Sequence, residues 1–198
     1  MVYKTREKLI EVARQLFVHK GLENTTMNDI ANASEKGRRT IYTYFKNKKE
    51  IYNAVLEHES DQMVLALKDV TASRLTPDQK LRKFLELRLE QGATIGSAYS
   101  SIKALFKFDL RRMERIRRMV YDKESALLQS ILSEGVEAEV FIKEKVEQFN
   151  HFAIRCIQGM DLSEIDAECA KFIPEIQVAF IDFMVESIVK QKTTIQKS

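Results

Sequence analysis

The stretch TTMNDIANASEKGRRTIYTYFKNKK, residues 25–49, decides the fold because it encodes two short helices separated by a turn. Thr26 and Asp29 have the spacing of a capping box, in which two side chains close the start of a helix. Residues 34–37 interrupt that helix after about two turns. A third helix is then predicted from Arg38 to about residue 45, with its apolar side chains on one face.

A longer amphipathic helix precedes this pair. Thr5 is predicted to cap it, and His19, Lys20 and Gly21 form a typical helix end, with basic residues in the last turn and a glycine after it. Three helices of this kind, with a four-residue turn before the third, predict a helix-turn-helix. In that motif the second helix lies against the DNA backbone and the third enters the major groove. The apolar positions of the first helix are Leu9, Ala13, Leu16 and Phe17.

The charge of the chain is concentrated in this region. Residues 36–49 carry six basic side chains, three aromatic ones and no acid. Residues 1–50 contain eleven Lys or Arg and six Asp or Glu, a net of +5, whereas the whole 198-residue chain has a net charge of +3. A basic N-terminal region joined to a nearly neutral remainder predicts a polyanionic partner.

The start of the third helix suits contacts with bases. An arginine presents a fork that matches O6 and N7 of guanine, and a threonine can contact a phosphate or a thymine methyl group. Hydroxyl and ammonium groups further along the segment suit phosphate oxygens. We therefore expect Arg38, Arg39 and Thr40 to contact bases, and Tyr42, Tyr44, Lys46, Lys48 and Lys49 to contact the backbone.

Over about residues 5–57 the chain resembles the TetR family of bacterial repressors. The resemblance is carried by Thr25-Thr26-x-x-Asp29-Ile30-Ala31 and by Thr40-Ile41-Tyr42-x-Tyr44-Phe45-x-x-Lys48, after a first helix ending in His19-Lys20-Gly21. It implies a C-terminal helical domain that dimerises through two late helices and holds an effector pocket. It also implies phosphate contacts at Thr26, Tyr42 and Lys48, and groove-facing positions at Arg38, Arg39, Thr40 and Tyr44.

The turn departs from the family pattern. The family usually places Gly, an apolar residue and a cap such as Ser where this chain has Glu35, Lys36 and Gly37. Two conformations remain open. Either Ser34 or Glu35 is left-handed, which costs roughly 1–2 kcal/mol, or the second helix continues until Gly37 makes the turn. The first residue of the third helix depends on this choice.

The remainder of the chain predicts an all-α protein. With six Gly and two Pro in 198 residues, long helices are favoured. One begins near Lys48, and the Thr76-Pro77-Asp78-Gln79 cap opens another. A further helix is expected over about residues 110–134, with Gly135 as its stop. We predict a helix-turn-helix DNA-binding domain at 1–47 and a helical effector-binding and dimerisation domain at 48–198.

Two sets of residues are candidates for the functions of the second domain. Polar side chains beside an apolar face suit a ligand site, although ordinary core and edge positions are the alternative. The last helix, about 174–190, is apolar on most sides, which implies a second packing partner. The pocket candidates are Phe84, Arg88, Gln91, Tyr99, Phe106, Phe149 and Phe152. The dimer-interface candidates are Phe149, Ile176, Phe180, Phe183 and Met184.

Other functional classes find no support in the sequence. The three His are scattered, no nucleophile has a base at a suitable spacing, and Cys156 and Cys169 lack a metal-type partner. We expect no enzyme activity, metal or cofactor, and two buried thiols. No apolar run approaches the roughly 18 residues of a membrane span, and the start has no signal-peptide core. We therefore expect a cytoplasmic protein.

These observations together predict a transcriptional regulator, most simply a repressor. We expect it to bind palindromic operator DNA as a homodimer and to leave the DNA when a small-molecule effector binds. One alternative is a helical adaptor whose basic N-terminal region binds an acidic protein partner. Another is a nucleoid or cell-division factor of the same fold that has no effector.

Overall fold

The computed structural model describes residues 2–90, 110–162 and 173–190. Within these ranges the regular structure is helical, apart from an isolated antiparallel bridge between Phe141 and Val189. This confirms the all-α class. The helices are α1 (Val2–Lys20), α2 (Met27–Ala33), α3 (Arg38–Tyr44), α4 (Lys48–Ala72), α5 (77–90), α6 (Leu110–Glu137), α7 (Lys143–Leu162) and α8 (Ile173–Ile188). None of the described helices combines the length and the apolar character that crossing a bilayer requires.

The chain forms two compact units. It passes from one to the other inside α4, between Gln62 and Met63, and inside α6, between Ile116 and Arg117. We call residues 2–62 the head. We call the described residues 63–90, 117–162 and 173–190 the body. The domain boundary predicted between residues 47 and 48 coincides with the start of α4 and stays a prediction.

The head has its own apolar core. Helices α2 and α3 have seven residues each, and isolated helices shorter than about 12–15 residues are marginal in water. Their stability therefore depends on packing against the longer α1 and α4. The buried apolar side chains that provide this packing are Leu9, Ile10, Ala13, Ile30, Ala31, Ile41, Phe45, Ile51, Ala54 and Val55.

The body is built around a second core, to which the end of α4 and helices α5–α8 contribute. Its largest fully buried side chains include Phe84 of α5, Leu128 of α6 and Phe141, which follows α6. Two ion pairs join α5 to α6. Lys80 contacts Glu134 at 2.8 Å, and Arg88 contacts Glu124 at 2.8 Å.

Two predicted helix ends were wrong. Helix α1 begins at Val2, before the predicted cap at Thr5, because nothing in residues 2–4 disfavours a helix. Helix α6 continues through Gly135 to Glu137. The glycine is needed for packing, since a Cβ there would clash with the ring of Phe141. The left-handed residue that reverses the chain is instead Glu139, with φ 58°.

Candidate nucleic-acid interface

The predicted capping box opens α2. Thr26 Oγ1 accepts a hydrogen bond from the backbone N of Asp29 at 3.1 Å, and the backbone N of Thr26 donates to Asp29 Oδ2 at 2.8 Å. The Thr26 hydroxyl also lies 2.7 Å from Oδ2. The hydrogen bonds from the Thr26 side chain and backbone lower the pKa of the Asp29 carboxyl. The carboxylate form that the cap requires is therefore favoured.

The turn between α2 and α3 settles the choice that the sequence left open. Glu35 is left-handed, with φ 57°. Its backbone N donates to Asn32 O at 3.0 Å, and the N of Lys36 donates to Ala31 O at 2.9 Å. This pair of bonds is a Schellman motif, in which glycine is the usual left-handed residue. Gly37 is the extended N-cap of α3, which begins at Arg38.

The ion pair of the Glu35 side chain offsets little of the free energy that the left-handed backbone costs. Its carboxylate lies 3.1 Å from the ammonium of Lys8 in α1, but it is 84% exposed. Exposed ion pairs contribute about 0–1 kcal/mol, whereas a left-handed non-glycine residue costs roughly 1–2 kcal/mol. The turn therefore carries strain next to the start of α3.

Helix α3 has one face in the core and one in solvent. Ile41 and Phe45 are buried in the head. Arg38, Arg39 and Tyr42 are exposed, and the guanidinium of Arg38 lies 5.8 Å from the centre of the Tyr42 ring. The remaining candidates differ in exposure: Thr40, Tyr44 and Lys48 are half-buried, and Lys46 is exposed.

The start of α4 is capped by its own chain. The side-chain oxygen of Asn47 accepts from the backbone N of Glu50 at 3.0 Å, and a Glu50 carboxylate oxygen accepts from the backbone N of Lys46 at 2.7 Å. The ammonium of Lys48 points to the turn after α1, where it donates to Leu22 O at 2.8 Å and to Glu23 O at 3.2 Å.

Helix α1 contributes basic groups that the sequence analysis did not single out. The guanidinium of Arg6 lies 5.5 Å from the centre of the Phe45 ring, at the end of α3. Lys8 pairs with Glu35 before the start of α3. Both residues lie on a helix that the sequence analysis treated only as an apolar support. Their partners are 27 or more positions away, so no local spacing signals these contacts.

The proposed effector-pocket residues have different environments. Phe84 and Phe149 belong to the core of the body. The side chains of Arg88 and Glu124 form a buried pair, 3% and 0% exposed, and the Arg88 guanidinium lies 5.9 Å from the Tyr121 ring. Phe152 is exposed on α7. Gln91, Tyr99 and Phe106 lie outside the described residues.

The proposed dimer-interface residues also differ in how exposed they are. Ile176 and Phe183 of α8 are exposed, Phe180 is half-buried, and Met184 and Phe149 lie in the core. The exposed Phe152 lies on α7, which packs against α8. Neighbouring helices of the body therefore carry large apolar side chains in solvent.

Among the described residues, no three His, Cys, Asp or Glu side chains are grouped in a way that could hold a metal ion. Cys156 is a free, half-buried thiol, and its burial raises its pKa. Cys169 lies outside the described residues.

Comparison with known sequences identifies relatives of the head. Residues 9–55 match the family described as "Bacterial regulatory proteins, tetR family". The "Probable acrEF/envCD operon repressor" of Escherichia coli K12 is 35% identical over 104 residues, which are 52% of this chain and 47% of that protein. An HTH-type transcriptional regulator of Staphylococcus aureus is 31% identical over 67 residues, 34% of this chain and 36% of that protein. The chain thus spans about half the length of these relatives or less.

Comparison with solved structures extends the likeness to nearly the whole chain. A transcriptional regulator from Cytophaga hutchinsonii has a TM-score of 0.75 at 19% identity, covering 93% of this chain and 98% of that one. A regulator from Saccharomonospora viridis in complex with choline has a TM-score of 0.73 at 17% identity, covering 96% and 100%. At these identities the likeness concerns the fold.

The strain at residue 35 gives a testable prediction. Glu35→Gly should raise the free energy of unfolding by about 1 kcal/mol, because glycine adopts the left-handed conformation without a steric penalty. Urea denaturation of the two proteins measures the difference. Glu35→Gln is the control: it keeps the strained backbone and loses the ion pair with Lys8, so it should be no more stable than the parent. Equal stability of the glycine variant and the parent would contradict the strain.

Proposed function

We propose that the chain is a TetR-family transcriptional regulator, which binds palindromic operator DNA as a homodimer through the exposed face of α3. The match of residues 9–55 to the TetR family and the relatives of the head support this proposal. TetR-family regulators are DNA-binding proteins rather than enzymes. The relative in Escherichia coli is named as a repressor, and we propose repression for this chain as well. Such a protein acts in the cytoplasm, where bacterial operators lie.

The exposure of Arg38 and Arg39 at the N-terminal end of α3 is the observation that carries the proposal. The first residues of a recognition helix contact base edges in the major groove. Burial of Ile41 and Phe45 fixes the rotation of α3, so that the two arginines face solvent. Each guanidinium can then form two hydrogen bonds with one guanine.

The groups around α3 suit the DNA backbone. Tyr42 and Lys46 are exposed, and Tyr44 is half-buried with its ring against the core of the head. Thr26 lies at the start of α2, where the helix dipole favours an anion. Backbone contacts of this kind supply affinity that falls with salt and does not depend on sequence.

Dimerisation is proposed through α7 and α8. Phe152, Ile176, Val178 and Phe183 are all more than half exposed. Large apolar patches on a soluble protein commonly mark an interface. A second copy of the chain would cover these side chains and would supply a second recognition helix, as a palindromic site requires.

Effector release is proposed for the body. The buried pair of Arg88 and Glu124 is a polar feature within an apolar core, and ligand sites combine an apolar lining with a few such groups. The regulator from Saccharomonospora viridis, which has the same fold, is described in complex with choline. An effector would change DNA affinity only through its different affinity for the two states of the protein.

The roles of Arg38 and Arg39 can be tested on a duplex selected by the parent protein from random sequences. Arg38→Ala or Arg39→Ala should weaken binding to this duplex by about 1–3 kcal/mol, because a bidentate guanine contact is lost. Binding to an unrelated duplex should weaken less. Lys68→Ala removes the same charge from an exposed site in the body and should leave the affinity unchanged. An equal loss on both duplexes would show that the arginines contact only phosphate.

The proposed dimer interface predicts that a charge placed in it will halve the mass of the protein particle in solution. Phe183→Glu should yield a monomer in light scattering, because a charge would be buried at the interface without a partner. Val18→Glu is the matched control: Val18 is 67% exposed and Phe183 is 66% exposed, but Val18 lies in the head. The control should remain a dimer. A dimeric Phe183→Glu protein would place the interface elsewhere.

A further inference from the structure

We propose that Lys48 is a positioning residue, which joins the start of α4 to the end of α1 and so holds the DNA-contacting face of the head in place. The resemblance to the family suggests a phosphate contact for this lysine. Its contacts within the protein indicate a different role. The proposal deepens, and rests on, the proposed DNA-binding function.

The ammonium of Lys48 is bonded to the backbone of a distant segment. It donates to Leu22 O at 2.8 Å and to Glu23 O at 3.2 Å, residues that lie 26 and 25 positions earlier in the chain. Both carbonyls follow the last residue of α1, Lys20. The C-terminal end of a helix is negative, so a cation is favourable there. Lys48 therefore ties the turn after α1 to the start of α4, and its charge lies near the negative end of α1.

Other side chains bind two further carbonyls at the end of α1 and the start of this turn. Thr25 Oγ1 donates to Gly21 O at 2.8 Å, and Asn24 Nδ2 donates to Lys20 O at 3.1 Å. Thr25 is fully buried. Side-chain hydrogen bonds thus hold the turn in place, and Lys48 supplies those that come from α4.

The location of this turn explains why the hydrogen bonds of Lys48 matter for the proposed DNA binding. The turn leads directly into Thr26, the N-cap of α2, and Lys48 is the first residue of α4. The bond therefore fixes the start of α4 relative to the start of α2. Thr26 and Lys46, two proposed phosphate contacts, lie at these two starts. Loss of the bond would let them move apart in the free protein. The same contacts with one DNA backbone would then form in the complex, but at a greater cost in free energy.

The geometry favours lysine over arginine. An ammonium is a compact group with three donors, and two of them are directed at the two carbonyls. One donor at most is left for a phosphate. A guanidinium is larger and planar, so it would keep the charge but could not occupy the same place. Arginine would, however, serve well as a phosphate contact. The two roles therefore predict opposite results for Lys48→Arg.

The test compares Lys48→Met, Lys48→Arg and the exposed neighbour Lys46→Met in the full-length protein. Hydrogen exchange over residues 21–29, thermal unfolding, and duplex affinity as a function of salt are measured for each. Both Lys48 variants should exchange faster, unfold at a lower temperature and bind roughly tenfold more weakly, the size expected when hydrogen bonds to a charged group are lost. Their salt slopes should equal that of the parent. Lys46→Met should keep the parent's stability and lower the slope by about one phosphate contact.

Two outcomes would overturn the proposal. One is parental exchange and stability in Lys48→Met together with a salt slope lowered by about one contact. The other is full function in Lys48→Arg. A parent protein that does not bind duplex DNA would instead refute the proposed function. In that case exchange and thermal unfolding still decide whether Lys48 holds the turn.

Discussion

The burial of Ile41 is the constraint on which the proposed DNA-binding face depends. Its side chain is 0% exposed and belongs to a core shared by α1, α2, α3 and α4. A seven-residue helix has too few internal hydrogen bonds to persist alone, so α3 exists because this core holds it. The same packing fixes its rotation. Arg38, Arg39 and Tyr42 are therefore exposed by the geometry of the helix.

Polar interactions fix the ends of the short helices once the core has fixed their faces. The Thr26 and Asp29 box starts α2, the turn at Glu35 ends it, and Gly37 begins α3. At the far end, Lys48 ties α4 to the turn after α1. Glutamate at position 35, with the glycine at position 37 instead, leaves strain where the chain enters α3, the proposed recognition helix. Strained backbone is often found at functional sites.

The sequence predicted features that depend on neighbours in the chain. The capping box, a third helix with its apolar side chains on one face, and a helix that begins near Lys48 follow from spacings of a few residues, and the structure confirms them. The left-handed Glu35 was one of the alternatives considered. Without a structure the choice stayed open, because propensity favours glycine there and the hydrogen bonds of the turn are not visible in a pattern.

Contacts between distant residues could not be predicted in this way. Lys48 bonds to carbonyls 25 and 26 positions away, and Glu124 of α6 pairs with Arg88 of α5. Gly135 and Phe141 are close in sequence, but the ring lies beside the glycine only because the chain folds back after α6. Each depends on which faces meet after folding. The sequence predicted a phosphate contact for Lys48 and a helix end at Gly135 for the same reason. Each is a common role for that residue type beside the same neighbours in the chain.

The central claim is that the head binds a specific DNA sequence. Selection of fragments of the host genome by the purified protein tests it most directly. The account predicts that the bound fragments share a palindrome whose half-sites are about one helical turn, or a multiple of it, apart, and that binding weakens as salt rises. Fragments without a common sequence, or selective binding to an acidic protein in place of DNA, would contradict it.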